Sequence, residues 1–205
     1  MLCLMKPSLL IAGAGYLGSE IKRIAEPHYQ VYTLTKSGTG DSMVCDLSND
    51  AEVARIAATI PSPDLVIHCA SSGRGGPDAY HGVFVKGCRA LADHFPKSHL
   101  LFTSSTSVYH QTDGSNVTED SLTEPERETS QLLLGAENII LNRGGTVARL
   151  AGIYGPDRSV VWRKFLANEA SIEEDGRRIL NQIHVIDAAR AALFLAEQKI
   201  SGIFN

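Results

Sequence analysis

The first residues able to do chemistry are three glycines at the spacing G-x-G-x-x-G, in Gly13-Ala14-Gly15-Tyr16-Leu17-Gly18. Glycine has no Cβ, so Gly13 and Gly15 let the chain turn tightly and bring a pyrophosphate within reach of the first amides of a following helix. Gly18, three residues further on, lets that helix lie close to a strand. The loop, with Tyr16 and Leu17 inside it, therefore reads as the cradle of a dinucleotide. About 20 residues later an NAD-selective site carries an acidic side chain for the adenosine ribose hydroxyls. Here that stretch is Leu34-Thr35-Lys36-Ser37. It holds no carboxylate, while Lys36 and the hydroxyls of Thr35 and Ser37 would receive a ribose 2′-phosphate. The expected cofactor is NADP(H), with NAD(H) as the alternative.

A glycine loop works this way only between a strand and a helix, and the sequence supplies both. Ser8 to Ala12 is a buried-strand run, Tyr16 to Glu26 a helix stopped by Pro27, and Gln30 to Thr35 a second strand. Met43 to Cys45 is a third strand, Ala51 to Ile60 a helix ending at Pro61, and Asp64 to Cys69 a fourth strand. Ala79 to Phe95 reads as a longer helix, Leu100 to Ser104 as a strand, Arg127 to Leu141 as a helix and Thr146 to Leu150 as a sixth strand. Val185 to Gln198 is amphipathic at helical spacing, and Gly202 to Asn205 resembles the start of another strand. Strands that alternate with helices in this way imply an α/β fold, a Rossmann-type doubly wound parallel sheet with helices on both faces. Two stretches are irregular, the polar loop Ser107 to Pro125 and the segment from Ala151 to Ile183, which is expected to line the cleft.

Composition narrows the function. The chain has 205 residues, enough for one NAD(P)-binding domain over 1–205, with 43% hydrophobic and 20% charged residues. Its formal charge of −4 provides no pull toward nucleic acid or anionic membranes. Cys3, Cys45, Cys69 and Cys88 lack the paired spacing of a metal centre, and Cys45 and Cys69 sit in apolar runs as core filler. The apolar N-terminus is split by Lys6-Pro7 and runs into the glycine loop, so it does not read as a leader. No stretch reaches the roughly 20 apolar residues of a membrane span. The expected location is the cytoplasm.

Six stretches in order resemble the extended and atypical short-chain dehydrogenases/reductases, specifically the NAD-dependent epimerase/dehydratase family. They are LLIAGAGYLGSEI, CDLSN from Cys45, VIHCASS from Val66, LLFTSSTSVY from Leu100, RLAGIYGP from Arg149 and NQIHVIDAARA from Asn181. The resemblance implies that Asp46 and Leu47 lie beside the adenine ring and that Ala70 and Ser71 line the cofactor toward its nicotinamide half. It places Ser105 at the family's catalytic Ser/Thr, where a hydroxyl orients a substrate carbonyl or alcohol. Thr106 and Ser107 stand where sugar-nucleotide dehydratases carry Asp-Glu, which argues against elimination chemistry. The family's Tyr-x-x-x-Lys pair is replaced: anchored on Glu137, Thr129 falls at the Tyr and Leu133 at the Lys. Tyr109 is the remaining phenol, either a substitute proton donor or a packing residue under the loop.

The same resemblance gives His184 and Asp187 a structural role and lets Tyr154-Gly155-Pro156 close over the nicotinamide end; by position, His110 reads as a surface loop histidine in place of a base and Arg149 as a strand-end charge. It implies a homodimer contact through the helices Ala79 to Phe95 and Arg127 to Leu141. The C-terminal substrate lobe of relatives is largely absent from the sequence, either because the natural protein is longer or because the lobe is lost. The leading expectation is an oxidoreductase or epimerase-like enzyme acting on a small hydroxyl or carbonyl compound, plausibly sugar-derived, with Ser105 and Tyr109 as catalytic residues. The alternative is a non-catalytic NAD(P)-binding sensor or scaffold.

Overall fold

A computed structural model describes residues 6–73, 75–172, 174–177 and 179–205. Cys3 and the first apolar residues of the N-terminus lie outside them. Strand β1 (Ser8–Ala12) is a run in which Leu9, Leu10, Ile11 and Ala12 are all fully buried, as a strand covered on both faces requires. Parallel to it lie β2 (Gln30–Thr35), β3 (Met43–Val44), β4 (Leu65–His68), β5 (His99–Ser105), β6 (Thr146–Leu150) and, far along the chain, β9 (Gly202–Phe204). They form one seven-stranded parallel sheet in the order β3-β2-β1-β4-β5-β6-β9. The order reverses between β1 and β4, and the crevice outside the carboxyl ends of those two strands is where such sheets take ligands.

Side chains alternate across the sheet, so each strand feeds two cores. Leu9 and Ile11 pack with α1 (Tyr16–Ala25) and α7 (Val185–Gln198) on one face. Leu10 and Ala12 point to the other, with α2 (Asp50–Thr59), α4 (Gly87–His94) and α5 (Glu128–Leu141). The helix expected from Ala79 to Phe95 is instead a rod of three parts: α3 (Pro77–Tyr80), a π-helical stretch His81–Lys86, and α4. The wider turn has a local cause. His68, 1% exposed on β4, lies 2.9 Å through its Nε2 from the carbonyl of Val83, so this carbonyl has a partner outside the helix.

The segment after β6 is more regular than its composition suggests. It contains β7 (Gly152–Tyr154), α6 (Val160–Leu166) and β8 (Gln182–His184), with β7 and β8 paired in parallel as a second small sheet. Three-residue strands carry too little periodicity to be read from sequence. Among the described residues no helix is long and apolar enough to cross a membrane.

Candidate functional site

The glycine loop leaves β1 at the reversal of strand order. Gly13 has φ +108°, and a Cβ there would lie 2.3 Å from the Ala70 backbone that follows β4. A Cβ on Gly18 would lie 2.1 Å from the Gly13 carbonyl oxygen. Both positions are closed to any other residue. At Gly15, which precedes the first turn of α1, a Cβ would meet nothing within 4 Å. Packing thus forces two of the three glycines, whereas Gly15 borders open space at the amino end of α1, where a pyrophosphate would sit. Beneath the loop the Cys69 thiol donates to the Gly13 carbonyl at 3.3 Å, and burial pushes its pKa up to about 12. This cysteine is a structural support, half-buried and unreactive.

Two residues of the loop reach outward. The Tyr16 hydroxyl donates to the Pro156 carbonyl at 2.9 Å, and the Arg158 guanidinium lies 5.1 Å from the centre of the Tyr16 ring. The turn Tyr154-Gly155-Pro156 is therefore fastened onto the start of α1. Leu17 is buried between α1 and the sheet.

At the end of β2, Thr35 accepts from the Thr39 amide at 3.1 Å, while Lys36 and Ser37 are exposed. The fold adds something the local sequence lacks. Asp46, at the end of β3, sets its Oδ2 2.7 Å from Lys36 Nζ. The Lys36 ammonium, and then the Ser48 hydroxyl, hold the Asp46 carboxyl down at about 2. The absence of a carboxylate in 34–37 thus does not carry over to three dimensions. Leu47, next to it, is 6% exposed and belongs to the core.

After β4 the Ala70 amide lies 3.4 Å from His68 Nδ1, and Ser71 Oγ accepts from the Gly73 amide at 3.2 Å. With Val83 accepting on the other side, His68 is the neutral Nε2–H tautomer; burial lowers its pKa to about 4. This imidazole fastens the backbone that faces Gly13.

The region around β5 and β6 is organised around side chains. Ser105 ends β5, and its Oγ accepts from the Ser107 amide at 3.1 Å, capping the short 3₁₀ turn Thr106–Val108. Tyr109 donates to Asn205 Oδ1 at 2.8 Å and accepts from Arg149 Nη1 at 2.9 Å. Arg149 is no strand-end charge. It is 3% exposed, and its Nε and Nη2 form a bidentate pair with Glu137, itself 1% exposed, at distances down to 2.7 Å. Burial pulls the guanidinium pKa down, but Glu137 and then Tyr109 outweigh it and hold the group above its ordinary value. Ser104 Oγ also donates to Glu137, at 2.5 Å.

This network was not read from the sequence. Its signal was there, an arginine inside the apolar run Thr146–Leu150 and a glutamate on the apolar face of the helix before it. Thr129 is half-buried near the start of α5, and Leu133 is 4% exposed in the core. His110 is exposed, and His184 caps α7 by accepting from the Ile186 amide through Nδ1.

Seen whole, the carboxyl edge of the sheet carries a glycine-lined crevice on one side and a hydroxyl- and amide-lined hollow on the other. A family model for the NAD dependent epimerase/dehydratase family matches residues 9–205. The chain belongs to that family. Its members bind NAD(P), and the family model runs through every strand of the main sheet. Similar solved structures include a dTDP-4-dehydrorhamnose reductase of Clostridium acetobutylicum, 20% identical with a TM-score of 0.81, the match covering 96% of this chain and 72% of that one. The Bordetella bronchiseptica enzyme WbmG in complex with NAD is 17% identical, with a TM-score of 0.79 over 100% of this chain and 74% of that one. A dTDP-4-dehydrorhamnose reductase of Bacillus anthracis in complex with NADP is 18% identical, with a TM-score of 0.79 over 97% and 73%. At these identities the likeness is one of fold. A comparison with curated proteins found no match.

Proposed function

We propose that this chain is an NADP(H)-dependent oxidoreductase or epimerase-like protein that works on a small hydroxyl or carbonyl compound. One observation carries the proposal: Gly13 and Gly18 are closed by packing, while Gly15 faces open space at the amino end of a ten-residue helix. The cradle fits a pyrophosphate. Gly13, Gly15, Tyr16, Leu17 and Gly18 would form it, with Ala70 and Ser71 bordering the path toward the nicotinamide and Asp46 with Leu47 the adenine end. Thr35, Lys36 and Ser37 would receive the 2′-phosphate, which would take over the Lys36 ammonium from Asp46. When bound, the nicotinamide ring supplies or accepts a hydride. The chain's own part is to hold the substrate oxygen: Ser105, at the end of β5, would orient it and Tyr109 would polarise it.

Replacing Ser105 by Ala tests the catalytic part. In a screen of NADPH oxidation with aldehydes, ketones and nucleotide sugars, S105A is expected to lower turnover by about 100-fold and leave NADPH affinity within about twofold. Unchanged turnover removes Ser105 from the mechanism. Titration with both cofactors tests the preference, and tighter binding of NADH than of NADPH refutes it.

A second reading is favoured by a specific observation. The phenol of Tyr109 already donates to Asn205 and accepts from Arg149, and Thr129 and Leu133 offer no acid of comparable strength. On that reading the chain binds NADP(H) without catalysis, as a sensor or scaffold. Tight NADPH binding with no turnover on any substrate supports it.

A further inference from the structure

We infer that Arg158 is a further ligand of the dinucleotide, a cation that meets the pyrophosphate at the amino end of α1 beside the amides of the glycine loop. The inference deepens the reading of an NAD(P)-binding cradle and rests on it. Arg158 belongs to the irregular segment after β6, far from the loop in sequence, yet its guanidinium lies over the ring of Tyr16, 5.1 Å from the ring centre. Tyr16 is the first residue of α1 and follows Gly15, the glycine that borders open space. A free arginine therefore stands where the helix presents its unpaired amides.

Its backbone is held in that place by the chain's own contacts. Gly155 and Arg158 exchange two hydrogen bonds of 3.1 Å across the two-residue turn Pro156-Asp157, in which Asp157 takes φ +59°. The Tyr16 hydroxyl donates to the Pro156 carbonyl inside that turn. The fit is close: a Cβ on Gly155 would lie 2.6 Å from the Tyr16 hydroxyl oxygen and 2.8 Å from the Val185 side chain. On the other side of Arg158, Ser159 Oγ accepts from the Trp162 amide at 3.2 Å and caps α6. Tyr16 thus does two things, fastening the turn with its hydroxyl and carrying the guanidinium on its ring, and a ligand that binds here meets an arginine already placed.

The charge is uncommitted. Lys22, Arg23 and Lys36, the lysines and arginines of the stretch 16–37, are engaged with Asp41, Glu20 and Asp46. The Arg158 guanidinium is exposed and makes no ion pair or side-chain hydrogen bond among the described residues. A guanidinium stacked on an aromatic face keeps its N–H donors for phosphate oxygens and meets them as a two-point fork. The first turn of α1 holds no acidic residue to compete for it. Helix amides offer a pyrophosphate only a partial positive charge, and Arg158 adds a whole one. NAD(H) and NADP(H) share the pyrophosphate, so this arginine serves both, unlike Lys36 at the 2′-phosphate.

Calorimetric titration of the intact chain with NADPH, NADH and ADP-ribose, wild type beside R158Q and R158K, tests the assignment. R158Q is expected to weaken every one of these ligands that the wild type binds by about tenfold, the scale of one charge-assisted hydrogen-bonded contact. R158K keeps the charge and loses the fork, and is expected to fall between R158Q and the wild type. Both variants should melt within about 2 °C of the wild type, because the side chain is exposed. The inference is overturned if R158Q binds within about twofold of the wild type, if R158K binds no better than R158Q, or if the loss falls on NADPH while NADH or ADP-ribose binds as before, which would assign the arginine to the 2′-phosphate. A wild type that binds none of the three ligands refutes the dinucleotide reading itself. A wild type that binds them no better than R158Q does refutes this inference alone.

Discussion

The two ends of the crevice are built from different materials. Around β1, β2 and β4 the shape is set by backbone: Gly13 pressed on Ala70, Gly18 pressed on the Gly13 carbonyl, and open space beside Gly15. Around β5 and β6 it is set by side chains that are already engaged, with Ser105 on the Ser107 amide, Tyr109 between Arg149 and Asn205, and Arg149 on Glu137. The contrast explains how the glycine loop and the β5–β6 half can change independently of each other. A backbone cradle needs only the absence of three side chains, whereas a proton-transfer pair needs two particular ones at one spacing. By the family resemblance Thr129 and Leu133 stand at that pair, a change that would not touch the glycine loop.

The sharpest way to separate the halves is to break the buried pair. Arg149→Met leaves Glu137 without its counter-charge and is expected to lower unfolding free energy by about 4 kcal/mol in urea titration. A loss below about 1 kcal/mol would mean that the pair does not hold this half together. Acid tests the boundary between the halves through His68. Its folded pKa is about 4 against 6.5 for the free group, so below 6.5 the unfolded chain takes a proton that the native state refuses. Stability from this residue is complete above pH 6.5 and is lost as the pH falls toward 4, by about 3 kcal/mol in all. Thermal melts across that window should show the slope, and H68Q should flatten it.

Within the cradle, Gly13→Ala meets both the Ala70 backbone and a left-handed φ, and is expected to lower stability by about 2 to 3 kcal/mol. Gly15→Ala should melt within about 1 kcal/mol of the wild type yet weaken NADPH binding about tenfold or more, because only the ligand would meet its methyl. Equal NADPH affinity in G15A and wild type would remove the pyrophosphate from this position. The smallest effect is at the adenine end. Asp46→Asn frees Lys36 and removes a like charge from the 2′-phosphate, so NADPH should bind about threefold to fivefold tighter at low salt and NADH should change little. Parallel titrations at low and high ionic strength check this.

Much of the sheet was legible in the sequence because buried parallel strands and amphipathic helices differ in length and period. Ser8–Ala12, Gln30–Thr35, Thr146–Leu150 and Val185–Gln198 have the same bounds in both. The π-helical turn was not, since it answers to His68 on strand β4, far from it in the sequence. Nor were β7 and β8, which are too short to carry a period. In the site, the glycine spacing named the loop, but an arginine in a strand and a glutamate in a helix named nothing until they met.

The sequence by itself determined the order of the main-sheet strands and their helices and the position of the glycine loop, because each is a local matter of residue type and spacing. Only the tertiary structure decided which glycine faces open space, that Asp46 reaches Lys36, and that Arg149 is buried against Glu137 with Tyr109 in its grip. Those are contacts between segments 10 to 56 residues apart in the chain, from Lys36 and Asp46 to Gly13 and Cys69. Local propensity carries no information about them; the packing of helices on both faces of one twisted sheet does.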